Sequence, residues 1–240
     1  MMRFDKLLAE LNIGSRSEVK ELIKKGLVLI DGKVVKDSSA KVDENIVTIT
    51  YKDIDYSYVK YRYFIMNKPA GIVTADTDKN DTTVMDVFRN KTGNQYTKGF
   101  FPVGRLDKDT VGLILITNDG DLSHKLLSPK GHVDKTYFVK TQNAIDDESV
   151  LRLEKGVEIE KDLMTLPAKV FRGEDEYCCF LTIHEGKFHQ VKRMFEKCNN
   201  KVVYLKRTSF GPLTLPEDLE EGSVRECLCK EVNELYDAVK

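Results

Sequence analysis

A chain of 240 residues with 41% hydrophobic and 32% charged side chains has enough apolar material to bury a core, and its length suits one small domain followed by a larger one, which excludes a mostly disordered protein. No run approaches the roughly 18 apolar residues of a membrane span and the N-terminus lacks a signal peptide's apolar core, so a cytoplasmic protein with no membrane partner is expected. The five cysteines, an odd number without a C-x-x-C pair, argue against a disulfide framework or a zinc knuckle, and the net charge of −1 hides an uneven distribution.

From the N-terminus, "FDKLLAELN" has the pattern of a short amphipathic helix. A second helix opens at Ser15 with Glu18 three residues on, a capping box, and stops at Gly26. Asp31-Gly32 lies between apolar runs as a two-residue hairpin turn, and "KVDENIVTI" supplies one more strand. Arg3, Lys6, Arg16, Lys20, Lys24 and Lys25 fall on the two helices. Charge alone is compatible with a plain solvated face or with RNA binding. Residues 51–61 are polar and aromatic without a period and are expected to be a linker, separating a domain over 1–50 from one over 62–240.

Beyond residue 62, strand-like runs cover 63–67, 112–117, 136–141, 177–184 and 202–206, with helical segments near 82–90, 119–127, 146–155 and 188–198. The strands neither alternate strictly with helices nor form an all-β array, so the fold class is α+β with a mixed, mainly antiparallel sheet. Between His184 and Arg207 stand seven Lys/Arg against Glu185 and Glu196, while residues 216–240 carry eight acids against three bases. A basic face and an acidic tail therefore coexist.

Three segments carry chemistry. In "GRLDKDTVGLILITNDGD" a charged turn with Arg105, Asp107, Lys108 and Asp109 precedes a buried strand, which holds the turn in place, and Asn118-Asp119-Gly120 starts the next helix. An aspartate there either caps its own turn or reacts. Tyr137 in "DKTYFV" is either a core aromatic or a site residue. In "GKFHQVKRMFEKC", Val191, Met194, Phe195 and Cys198 make a buried helical stripe that leaves His189, Lys192, Arg193 and Lys197 off it.

"MRFDKLLAELNIGSRSEVKELIKKGLVLIDGKVV" resembles the RNA-binding domain first described in ribosomal protein S4, and the three segments, with "YFIMNKPAG" ahead of them, resemble the rRNA pseudouridine synthases over nearly the whole chain. The resemblance implies a pseudouridine synthase fold and isomerisation of a uridine without cofactor or metal. Asp107 is implied as the catalytic acid, acting at C1′ of the ribose or as a base at C2′. Lys192 would be its counter-cation, where Arg is commoner in the family and would grip in two places instead of one. Tyr137 would stack on the target uracil and assist proton removal at C5. Arg105 would fill the gap left by the flipped base, with Arg3, Lys6, Arg16, Lys20, Lys24, Lys25, His189, Gln190 and Arg193 as further RNA contacts. Thr110 and Asn118 would brace the loop. "HVDKTY", "EKDL" at 160–163 and "FHQVKRMF" are similar to the small-subunit (16S) enzymes, whose target implies uridine 516, acting on small-subunit rRNA as a monomer. A large-subunit target and a non-catalytic rRNA-binding or assembly factor are the alternatives.

Overall fold

The structure is a computed structural model that describes residues 1–93, 99–128 and 133–240. His132, the first residue of the "HVDKTY" motif, lies outside them.

In the first part of the chain the capping box closes in both directions. The Glu18 N–H donates to Ser15 Oγ at 3.4 Å and the Ser15 N–H to Glu18 Oε2 at 2.7 Å, which satisfies two otherwise orphaned donors and starts the helix Arg16–Lys24. That helix and Phe4–Glu10 bury Phe4, Leu7, Leu8, Val19 and Ile23 against Val28 and Ile49. Asp31 and Gly32 both take positive φ, 48° and 75°, the conformation a two-residue hairpin turn requires, and join Val28–Ile30 to Lys33–Val34.

Two expectations fail here. The single strand expected from "KVDENIVTI" is broken at its acidic middle, where the Asp43 carboxylate accepts from the Asn45 N–H. Lys41–Val42 then pairs with Met2–Arg3, and Thr48–Tyr51 with Val28–Ile30. The segment expected as a linker instead continues the sheet: Ile54–Ser57 pairs with Thr48–Tyr51 across Lys52 and Asp53, both at positive φ. That turn has the same left-handed geometry as Asp31-Gly32 but lacks the glycine that advertises it. The first compact unit accordingly runs Met1–Tyr61 and the second Arg62–Lys240.

In the second unit the strands lie in the order Lys169–Arg172, Cys178–Ile183, Lys135–Thr141, Val202–Phe210, Val111–Thr117, Tyr63–Lys68 and Val224–Glu226, with Phe101–Val103 also on Val111–Thr117 and Leu213–Thr214 on Val202–Phe210. Among these strands of the described residues every pairing is antiparallel except that of Val202–Phe210 with Val111–Thr117, where Lys206 faces Val111 and Arg207 faces Gly112. Gly112 is needed at this join. A Cβ there would lie 2.3 Å from the Arg207 carbonyl oxygen, and its φ is +104°. The main core gathers Phe64, Met66, Phe88, Ile114, Ile116, Val139, Leu153, Leu181, Val191, Met194 and Phe195 from the sheet and three of its helices.

The acidic tail is structured. Val224–Glu226 forms the sheet edge beside Tyr63–Lys68, and the helix Cys229–Asp237 docks through Tyr236, whose hydroxyl donates to Asp119 Oδ2 at 2.6 Å. Tyr63 donates to the same oxygen at 2.7 Å, while Asp119 Oδ1 accepts the Leu122 N–H and caps the helix Gly120–Leu127.

Candidate active site

The turn over 104–110 precedes the parallel join of Val111–Thr117 with Val202–Phe210, and its backbone is held from a neighbouring segment. Lys68, fully buried, donates from Nζ to the carbonyl oxygens of Pro69 (3.1 Å), Lys108 (3.3 Å) and Thr110 (2.8 Å). The Gly71 N–H also donates to the Lys108 oxygen at 2.8 Å. Thr74 Oγ1 donates to the Leu106 oxygen and accepts the Leu106 N–H, at 2.8 and 3.1 Å. Five of these contacts reach the loop and set its path before any of its charged side chains acts. Burial pushes the Lys68 ammonium down to about 8, with Asp109 and Asp107 opposing the fall.

The two acids of the turn share one partner, and its lysine takes another. Lys108 reaches away to Asp81, at 2.6 Å. Lys192, from the helix Gln190–Lys197, places Nζ 3.1 Å from Asp107 Oδ2 and 2.6 Å from Asp109 Oδ1, so one ammonium bridges two carboxylates. His189 Nε2 lies 3.5 Å from the other oxygen of Asp107. Asp109 is held below the usual carboxylate range chiefly by its hydrogen bond from Lys192, which outweighs burial. Lys192 is raised, since bonds to the two acids outweigh its own burial. The arrangement sets one ammonium against both acids of the turn.

A cavity of about 870 Å³ is lined by Arg105, Asp107, Tyr137, Phe188, His189 and Arg207 among others, and a smaller one beside it adds Thr110 and Lys192. Its volume falls within the range of small-molecule sites and is ample for one nucleotide. Tyr137 is buried on the core face of its strand, directly opposite Arg207 in register. Arg207 is 2% exposed. Its Nε donates to the Leu113 oxygen at 2.7 Å, its guanidinium lies over the Phe210 ring, and Nη2 has no hydrogen-bond partner among the described residues. Burial pushes this guanidinium down from its ordinary value, opposed by the Tyr137 hydroxyl.

Asp107, Tyr137, Lys192, Arg105 and His189, separate in sequence, thus meet at one cavity. Two expected RNA contacts have their polar groups already engaged within the protein. Gln190 is 4% exposed and spends both ends of its amide on its own turn, donating to Glu185 Oε1 and accepting the Lys187 N–H. Arg193 is committed to Glu160, Ile159 and the Phe188 carbonyl oxygen. Gln190 thereby ties the turn ahead of its own helix, and Arg193 ties that helix to the strand Glu158–Glu160. In the first unit Lys6, Arg16, Lys20, Lys24 and Lys25 are exposed, whereas Arg3 is closed into a two-point pair with Asp5. Thr110 braces the loop through its backbone oxygen, its hydroxyl being buried without a partner among the described residues, and Asn118 Oδ1 accepts the Arg62 N–H at the strand start.

Lys68, Thr74 and Arg207 had no assigned role in the sequence. The available signals were a lysine closing an apolar run before Pro69 and an arginine in step with Leu205 on one strand face. Among the described residues no group of three or more His, Cys, Asp or Glu side chains is placed to hold a metal ion.

A family model described as RNA pseudouridylate synthase matches residues 62–197, and one for the S4 domain matches residues 2–45. An uncharacterised RNA pseudouridine synthase of Bacillus subtilis is 44% identical, with 97% of each chain covered. A ribosomal small subunit pseudouridine synthase A of Haemophilus influenzae is 37% identical over 98% of this chain and 99% of its own, and a ribosomal large subunit pseudouridine synthase B of Bacillus subtilis is 36% identical over 98% and 96%. A crystal structure of a pseudouridylate synthase superposes with a TM-score of 0.67 at 34% identity, covering 98% of this chain and all of that one. With the family model spanning more than half of its length, the chain belongs to the RNA pseudouridylate synthases and carries an S4 domain ahead of the catalytic unit.

Proposed function

We propose that this protein converts one uridine of small-subunit (16S) rRNA, uridine 516, into pseudouridine, with Asp107 as the catalytic residue. The observation that carries the reading is the ion pair of Asp107 with Lys192 at 3.1 Å on the wall of a cavity that Tyr137 also lines. The reaction breaks the bond from N1 to C1′, turns the uracil and joins C5 to C1′. C5 gives up a proton and N1 gains one, so atoms and electrons balance within the nucleoside. Asp107 serves it by attacking C1′ or by taking a proton at C2′, and Lys192 places a positive charge 3.1 Å from its carboxylate. Tyr137 supplies a flat face for the flipped uracil and an oxygen near C5. Arg105, exposed at the rim, suits the place in the helix that the base leaves.

The small-subunit target rests on the local likeness of "EKDL" and "FHQVKRMF" to that branch. A large-subunit target is the second reading, because the identity of 36% to the large-subunit enzyme of Bacillus subtilis almost equals the 37% for the small-subunit one. Pseudouridines are mapped on rRNA from cells with and without the gene, and with the gene encoding Asp107→Asn. Loss of one small-subunit pseudouridine in both altered strains is the expected result, since the amide keeps the shape of the side chain but can act neither as nucleophile nor as base. Loss at a large-subunit position moves the target. A pseudouridine that persists in the Asp107→Asn strain removes Asp107 from the chemistry.

A further inference from the structure

Phe188 stands at the mouth of the cavity with 75% of its surface exposed. A single exposed apolar side chain is ordinary. Phe188 differs in its restraint. One face of its ring is stacked on the His189 imidazole, centroids 3.8 Å apart and planes 19° from parallel. His189 takes a left-handed backbone conformation, φ 49° and ψ 32°, uncommon outside glycine. The Phe188 carbonyl oxygen accepts from Arg193 Nη1 at 3.3 Å, and the Gln190 amide ties Lys187 to Glu185 on the other side. The turn thus gives up favourable backbone geometry and several polar groups to hold one aromatic ring in water. The same imidazole that backs the ring points Nε2 at Asp107.

We propose that Phe188 is a base-stacking platform for an unpaired nucleotide next to the target uridine. This deepens the function proposed above and rests on it. Pulling a uridine out of an RNA stack leaves its neighbour with an uncovered π face. The open face of Phe188 covers such a base and forms a three-layer stack of base, Phe188 and His189. Stacking of this kind tolerates any base, so the platform contributes affinity and register, and Tyr137 and the pocket behind it select uracil.

The full-length enzyme is compared with Phe188→Leu, which keeps apolar volume without a π face, and Phe188→Trp, which keeps one. The substrate is a transcript of the rRNA region holding the mapped uridine. Phe188→Leu is expected to raise KM about tenfold, in keeping with the worth of one stacked base, with kcat within threefold and an unchanged melting temperature. Phe188→Trp restores KM. In the Asp107→Asn background, which stops turnover, 2-aminopurine placed one nucleotide 5′ or 3′ of the target changes its fluorescence on binding in one of the two RNAs. Adding Phe188→Leu removes that change. An active enzyme whose KM and fluorescence response survive Phe188→Leu overturns the platform and leaves the proposed function standing. A parallel loss of kcat and thermal stability, not rescued by Phe188→Trp, assigns Phe188 to folding and overturns it too. If the wild-type chain modifies no rRNA uridine, the function proposed above fails and the platform falls with it.

Discussion

Lys68 is the residue on which the candidate site most depends without touching the cavity. Three carbonyl oxygens surround its Nζ, and an ammonium has three donors to give them. A neutral amine has two, so deprotonation releases one carbonyl of the segments that Lys68 ties together. It also removes a positive charge that faces Asp107 and Asp109 alongside Lys192 and Arg207. With Lys68 pushed down to about 8, activity should decline through an alkaline limb centred near pH 8. The linkage has the opposite sign for stability. The folded-state value lies below the unfolded one, so between about pH 8 and 10.4 the unfolded chain binds a proton that the native chain lacks. Lys68's unfavourable burial is fully felt below that window and fades as pH rises through it, so the lost activity is not unfolding. Lys68→Met should abolish the limb and lower kcat by about 10- to 100-fold through a misplaced loop. A flat profile from pH 7 to 9.5, or an unchanged limb in Lys68→Met, would show that the loop does not depend on this charge.

At the scale of elements, the docked C-terminal helix offers the clearest test. Burial tends to raise Asp119, but bonds from Tyr236, the Leu122 N–H and Tyr63 together bring it below its ordinary value. This stabilisation is present above the unfolded carboxylate's range and is lost as pH falls through the lower folded value. Tyr236→Phe should therefore cost about 1.5–3 kcal/mol at neutral pH, the worth of a hydrogen bond to a charged group, and move the acid-unfolding midpoint upward. Equal denaturation curves at pH 7 for the two proteins would place the helix outside the cooperative unit. That helix also marks where sequence reading ends. The main strands and the helices Val84–Lys91, Gly120–Leu127, Asp147–Lys155 and Gln190–Lys197 carry enough apolar periodicity to be seen without coordinates. Cys229–Asp237 buries only Leu235 and reads as charge, and Val224–Glu226 is three residues long. Asp107, Tyr137 and Lys192 were legible because each sits in a distinctive segment. The commitment of Gln190 to its own turn and of Arg193 to Ile159 and Glu160 was not, since the left-handed His189 ahead of the helix and a pairing across 33 residues leave no mark in a helical pattern.

For the whole molecule, the division at Tyr61 allows the two units to be tested apart. The core cluster of the catalytic unit draws every member from beyond residue 62, and that of the S4 unit every member from before residue 59, so each buries its own apolar surface. Because Ile54–Ser57 is a strand of the first unit, the cut belongs after Tyr61 and not within the preceding hairpin. A chain starting at Arg62 should fold and retain its single-turnover rate at saturating rRNA, since Asp107, Lys192, Tyr137 and the groups that position them all remain. Its affinity should fall and depend less on salt. Lys6, Arg16, Lys20, Lys24 and Lys25 are exposed cations. If all five meet phosphates, their loss should reduce the slope of log affinity against log salt by about three to four, at roughly 0.7 per contact for single-stranded RNA. Arg3, already paired with Asp5, should add little. Substituting Lys20 and Lys24 alone should lower the slope by about one to one and a half, whereas Arg3→Ala should leave it unchanged. An identical slope in the full and shortened chains would mean that the S4 unit meets no phosphates, and a slower single-turnover rate at saturation would mean that it helps to place the uridine as well as to hold the RNA.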